Sequence, residues 1–270
     1  ATWKRRERVI QDVTEALLRG IPFPPVYASE LQTGELLILD KSDKLRFLLE
    51  YLAYGDILKD KYVDYEKYLD RTIIYSTVML YVIDYMNPRY RHMQVGKFVE
   101  EWTALQEQSV WNVLYRGDNI NALEYIIRKV RHCRFTKLKF QYYLMHYLMV
   151  DFVVCDLLNE FEYERADKFQ LLERTLTELE YKNNLDDLSD EFSEAYFEIH
   201  QNLFLKNKNT EEKMKYLCFV HIYEKFYKRP DIYGLFKLRD IQNRVENWDM
   251  SYKGIKDMVK FIKKGNGFYD

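Results

Sequence analysis

The residues best suited to chemistry are basic. Arg128, Lys129, Arg131, Arg134, Lys137 and Lys139 fall within twelve positions that also hold His132 and Cys133 and contain no acid. Cations at this density can neutralise successive phosphates, which makes the run a candidate nucleic-acid interface. The same run at the C-terminal end of a helix would simply complement the helix dipole. Smaller basic groups occur at Lys4, Arg5, Arg6 and Arg8 and at Lys253, Lys256, Lys260, Lys263 and Lys264, and both read as solvated faces.

Other reactive side chains are sparse. Cys218 and His221, three residues apart, can share a helix face, but no second ligand pair accompanies them, so core packing is expected and no metal site. Cys155 lies in the most apolar stretch and reads as inert. Cys133, beside His132, Arg131 and Arg134, has neighbours that could lower a thiol pKa, with an ordinary surface cysteine as the alternative. Asp186, Asp187, Asp190, Glu191 and Glu194 suit the start of a helix, where acids meet the positive dipole end. Trp102, Trp111 and Tyr115 read as core. Walker, G-x-S-x-G and G-x-G-x-x-G patterns are absent, and no cofactor is expected.

The elements that must carry these residues are mostly helical. Nine Gly and five Pro in 270 residues argue against a turn-rich β protein. Residues that are 47% apolar and 31% charged, with a net charge of -2, describe a globular chain without a global basic field. Three Cys fit a reducing cytoplasm, and Ala1-Thr2-Trp3-Lys4-Arg5-Arg6 opens without the apolar run of a signal peptide. Leu138 to Leu158 is long enough to span a bilayer but contains Lys139, His146, Asp151 and Asp156. One central Asp costs roughly 2.5–3.5 kcal/mol in lipid, so a helix buried in a helical domain is expected, with no membrane contact.

Along the chain, Lys4–Arg19 has helical periodicity and ends at Gly20. Ile21–Tyr27, with three prolines, must be extended and is expected as an edge strand or polyproline segment. Thr33-Gly34 reads as a turn, Glu35–Asp40 as a short buried strand, and Leu45, Leu48, Leu49 and Leu52 as a helix capped by Ser42 or Asp43. Arg71–Asp84 reads as a strand or a pair of strands, and Asn87-Pro88 as a break. Helices are then expected at about 92–115, 119–132, 136–158, 162–181, 188–206, 210–228, 234–247 and 251–264. The expected class is α+β: an α/β unit over 1–88 and an all-helical domain over 89–270.

The first unit resembles the N-terminal domain of GmrSD-type modification-dependent restriction enzymes, a ParB/sulfiredoxin-like family of phage-defence systems. The resemblance rests on Trp3, on Leu17-Leu18-Arg19-Gly20-Ile21-Pro22-Phe23-Pro24-Pro25-Val26-Tyr27, on Ile38-Leu39-Asp40 and on the Leu-rich helix that follows. It covers roughly residues 3–55 well and 56–84 loosely. It implies a ParB-like α/β fold with a nucleotide site at the family's DGQQR motif. Here that motif reads Asp40-Lys41-Ser42-Asp43-Lys44, so only the Asp is kept. Gly would allow close backbone approach to a phosphate; Lys41 carries a Cβ, and Asp43 brings a carboxylate. At ~4 Å, two like charges repel by about 4 kcal/mol at an effective dielectric near 20. The family's nuclease partner uses His-Asn-His chemistry, and none of His92, His132, His146, His200 and His221 sits in that context. The expectation is a motif-degenerate, non-catalytic, cytoplasmic component of a defence-type system that binds nucleic acid or a protein partner. An active nucleotide-hydrolysing or DNA-cleaving enzyme of the family and a helical protein–protein scaffold are the alternatives.

Overall fold

The computed structural model describes residues 12–13, 16, 19–40, 44–46, 49, 77–115, 137–159, 166–179, 185–227 and 232–264. It is an α+β protein, mostly helical, with one small sheet. Close contacts divide it into two compact units, Ala1–Glu101 and Trp102–Asp270.

The first unit begins with helical Asp12, Val13 and Ala16. Gly20 adopts φ +71°, and the Ile21 amide returns to the Ala16 carbonyl at 2.9 Å, so the glycine ends the helix as expected. Residues 21–25 belong to neither a helix nor a strand. The strand β1 (Val26–Glu30) starts immediately after Pro25. Contrary to the edge-strand expectation, β1 is central, in the order β2-β1-β3. The prolines remove amide donors only from the residues before it; Val26 N–H already donates to Met79 O at 2.9 Å.

The Thr33-Gly34 turn, with Gly34 at φ +79°, brings back β2 (Leu36–Ile38) antiparallel to β1, pairing Ala28 with Ile38 and Glu30 with Leu36. This is an edge strand with Leu36 exposed, not the buried strand expected; burial begins at Leu39 and Asp40. The strand β3 (Leu80–Ile83) runs parallel to β1, with Val26 opposite Leu80 and the Tyr27 and Tyr81 rings stacked at 5.2 Å. Residues 71–76 of the expected strand region lie outside the described residues. Pro88 opens α1 (Arg89–Val99), which packs against β1 and so falls with the sheet.

The second unit starts where the expected 92–115 helix breaks. Thr103 and Gln106 form a reciprocal cap, Thr103 N–H to Gln106 Oε1 at 2.9 Å, and begin α2 (Ala104–Leu114). The T-x-x-Q signal for this break is in the sequence. The expected 119–132 helix lies outside the described residues. The central element is α3 (Lys137–Leu158), buried without interruption from Phe140 to Asp151. Around it stand α2, α4 (Lys168–Leu179), α6 (Thr210–Phe226) and α9 (Tyr252–Lys264). Helix α5 (Leu185–Gln201) packs on α6. The span expected at 234–247 is two helices, α7 (Ile232–Leu235) and α8 (Arg239–Glu246). Among the described residues no helix is long and apolar enough to cross a membrane.

The turn into α9 is tightly specified. Asp249 Oδ1 accepts from Ser251 N–H at 2.9 Å and from its hydroxyl at 2.8 Å, and Ser251 Oγ accepts from Gly254 N–H at 3.0 Å. A Cβ on Gly254 would collide with that anchored carboxylate and press on the Trp248 indole. Helix propensity alone favours Gly254→Ala by about 1 kcal/mol. The steric contact is expected to win and destabilise the chain by about 1–3 kcal/mol in urea unfolding. An unchanged or raised midpoint would show that Asp249 simply moves aside.

Candidate functional site

Beyond β2, the residues expected to form a nucleotide-site remnant divide. Lys41, Ser42 and Asp43 lie outside the described residues; Lys44 is helical and half-buried. Asp40 is 1% exposed, and its Oδ1 accepts the Tyr27 N–H at 2.7 Å while Leu39 N–H donates to Tyr27 O at 2.8 Å. Where a ladder carbonyl would normally receive the Tyr27 amide, a carboxylate does so, in a shorter, charge-assisted bond. Asp40 therefore extends the β1–β2 pairing beyond the end of β2.

Of the basic cluster, Arg128, Lys129, Arg131 and Arg134 lie outside the described residues, with His132 and Cys133. Lys137 is exposed and Lys139 half-buried, both in the first turn of α3. For these two, the reading as cations complementing a helix C-terminus is wrong: they sit at the positive end of the dipole and add to it. Lys139 is held below the usual ammonium range by burial and then by Lys213. His200 is held down at about 4, by burial first and then by Lys139 and Lys213, against the opposing pull of the Tyr196 carbonyl on its Nδ1. Lys139 and Lys213 thus lie near enough to each other to interact.

A third constellation joins α3 to α6. Asp151 is 3% exposed, deep in the apolar wall of α3. Its Oδ1 faces His221 Nε2 at 3.0 Å and Lys225 Nζ at 3.0 Å, both on α6. The His221 ring packs on Tyr147 at 4.1 Å. Burial lowers the His221 pKa despite Asp151; at Lys225 burial is again the largest single influence, but Asp151, with Glu191 and Cys155, outweighs it and the pKa rises. These groups open on a cleft of about 280 Å³ walled by Glu191, Glu194, Ala195, Glu224 and Tyr227. Cys218 and His221 are both buried, as expected of core residues, and burial alone pushes the Cys218 thiol up. No local sequence pattern marks the Asp151 bridge, although an acid inside an apolar helix requires a partner.

A separate buried group surrounds His146, on which Tyr142 O receives the Nδ1 proton at 2.8 Å. Its Nε2 lies 4.0 Å from Glu107 Oε1, which is bound by Lys168 Nζ at 2.8 Å. Burial, then Lys168, hold the imidazole down at about 3. Among the described residues no group of three His, Cys, Asp or Glu side chains is placed to hold a metal ion. Compared with known proteins, the chain matches no family model, no curated protein and no solved structure.

Two histidines, the buried His146 and the half-buried His200, set a pH dependence. His146 and His200 bind protons more weakly folded than unfolded. Their contribution is therefore intact above about pH 6.5 and is lost as pH falls toward 4 and then 3. Each contributes a slope of up to about 1.4 kcal/mol per pH unit. Urea unfolding between pH 7 and 4.5 is expected to show falling stability, with a shallower slope in His146→Gln. An identical slope in that variant would mean that His146 is not buried neutral.

Proposed function

We propose that the chain is a motif-degenerate, non-catalytic relative of the GmrSD restriction N-terminal domain, carrying a ParB-like α/β unit, and that it serves as a cytoplasmic nucleic-acid-binding component of a defence-type system. The observation that carries this reading is that Lys137 and Lys139 stand in the first turn of α3, with Lys213 near enough to Lys139 to lower its pKa, directly after the part of the chain that supplies Arg128, Lys129, Arg131 and Arg134. Cations at this density in one run suit a partner with successive phosphates. The non-catalytic part is supported by Asp40. The one motif residue retained has its carboxylate on the Tyr27 amide, in the service of the sheet. In Lys41 and Asp43 the motif has exchanged a small residue and a neutral donor for a Cβ and an anion, which disfavours phosphate at that turn.

Two measurements test the reading. Calorimetric titration with the four nucleoside triphosphates is expected to show no binding at sub-millimolar concentration, and the Lys41→Gly, Asp43→Gln double variant is expected to regain some. Micromolar binding by the unaltered chain would move the assignment to an active enzyme of the family.

Nucleic-acid binding is expected to fall steeply with salt. The Arg131→Glu, Arg134→Glu double variant should weaken all sequences alike and flatten the plot of log affinity against log salt by about two contacts' worth, each near 0.9. Affinity that survives that change would remove the basic run from the interface and leave a helical scaffold as the better description.

A further inference from the structure

Helices α8 and α9 and the turn between them wall a cleft of about 700 Å³, in which charges that could pair along each helix do not. Asp240 stands four residues before Arg244 on α8, and Lys253 four residues before Asp257 on α9; all line the cleft. Opposite charges at that spacing close elsewhere in the helical unit, Arg174 with Glu178 and Lys215 with Glu211. Here neither pair is closed, and these side chains have no hydrogen bond or ion pair among the described residues. The Arg244 guanidinium lies over the Phe261 ring, 4.8 Å from its centre. Stacking holds the fork by its face and leaves its N–H edges open.

A second, independent observation points to an occupant. Trp248, also in the wall, is 4% exposed, and its indole Nε1 has no hydrogen-bond partner. An indole nitrogen only donates, so burial without an acceptor leaves a need unmet. The atom faces the space that a Gly254 side chain would fill, 3.1 Å from where the Cβ would stand, and Gly254 belongs to the same wall. Asp249 Oδ1 borders that space but accepts from Ser251.

The unused groups set the character of the ligand. Arg244, Lys253 and the Trp248 N–H call for acceptors, and a guanidinium fork fits the two oxygens of a carboxylate. Asp240 and Asp257 call for donors. A purely anionic ligand meets repulsion from the acids, and a purely cationic one from the bases. A molecule carrying both signs satisfies both sets. Of the two acids, Asp257 is half-buried and Asp240 exposed, so a charge on Asp257 is less screened by water. The volume lies within the range of small-ligand sites.

We infer that this cleft binds a zwitterion of amino-acid type, with its carboxylate on Arg244, its ammonium on Asp257 and an acceptor oxygen on Trp248 Nε1. Either a free amino acid or a short peptide with free ends supplies that chemistry. The site lies within the helical unit and is independent of nucleic-acid binding.

Calorimetric titration of the full chain with L-alanine and with L-alanyl-L-alanine tests the inference, each probe also being used with its amine acetylated or its carboxylate amidated. At least one free probe is expected to saturate below about 10 mM, and blocking either end should weaken it about tenfold or more. Arg244 is exposed, so Arg244→Gln keeps the fold and should weaken binding about tenfold. Trp248→Phe, which keeps a ring but removes the donor, should also weaken it; if that variant unfolds, Arg244→Gln decides. Lys260→Gln, exposed on α9 outside the cleft, should bind as the parent does. Tighter alanine binding identifies a free amino acid, and tighter dipeptide binding a peptide. No saturation of either free probe, equal binding of a blocked form, or unchanged affinity in Arg244→Gln would overturn the inference.

Discussion

A helix buried on every side leaves its polar residues no water to turn to, and the helical unit is organised around that constraint. On α3, the buried Gln141, His146 and Asp151 must each find a partner on a neighbouring helix or on its own backbone. Gln141 Oε1 receives Asn112 Nδ2 from α2 at 2.8 Å, His146 turns to Tyr142 O, and Asp151 reaches across to α6. Apolar packing against α3 tolerates small slides and rotations; these pairings do not, because a slip leaves a buried charge or amide unmatched. Helices α2 and α6 are therefore pinned in register to α3 by a few polar contacts within an apolar interface.

Asp40 and Asp151 show how the surroundings give one side chain different uses. Both are nearly inaccessible. Asp40 is held by a backbone amide, a rigid donor with no freedom to leave, and the result is architecture. Asp151 is held by two side chains, each with a second face: His221 toward the cleft and Lys225 partly toward solvent. The first arrangement is fixed by the backbone, whereas the second depends on side chains that can rotate.

Legibility in the sequence followed how local each determinant is. The limits of α3, α6 and α9 and the Gly20 and Gly34 turns follow from short-range periodicity, caps and backbone freedom, and they lie close to the positions expected. The break at Trp102-Thr103 was equally local, but an unbroken apolar periodicity masked its T-x-x-Q cap. The order of the strands was not legible. A run of prolines says which amides are missing, not which strand arrives beside the residues that follow. The pairing of Asp151 with His221 across seventy positions was likewise beyond any local pattern, although the need for a partner was visible in the acid itself. Whether the four arginines and lysines before α3 share a face with Lys137 is a tertiary question of the same kind.

The parallel pairing of β1 with β3 carries a cost in time. A hairpin such as β1–β2 closes over a five-residue connection, whereas Val26 meets Leu80 only after the whole intervening chain has been made and brought round. Closing so long a loop is entropically dear, and non-local pairings of this sort slow folding. On a ribosome that delivers the N-terminus first, β1 and β2 emerge as a two-stranded ribbon, too small to be stable alone, with one side of β1 open. Until β3 follows, that side is a bare template of amides and carbonyls, the state in which a chain is most exposed to pairing with the wrong neighbour.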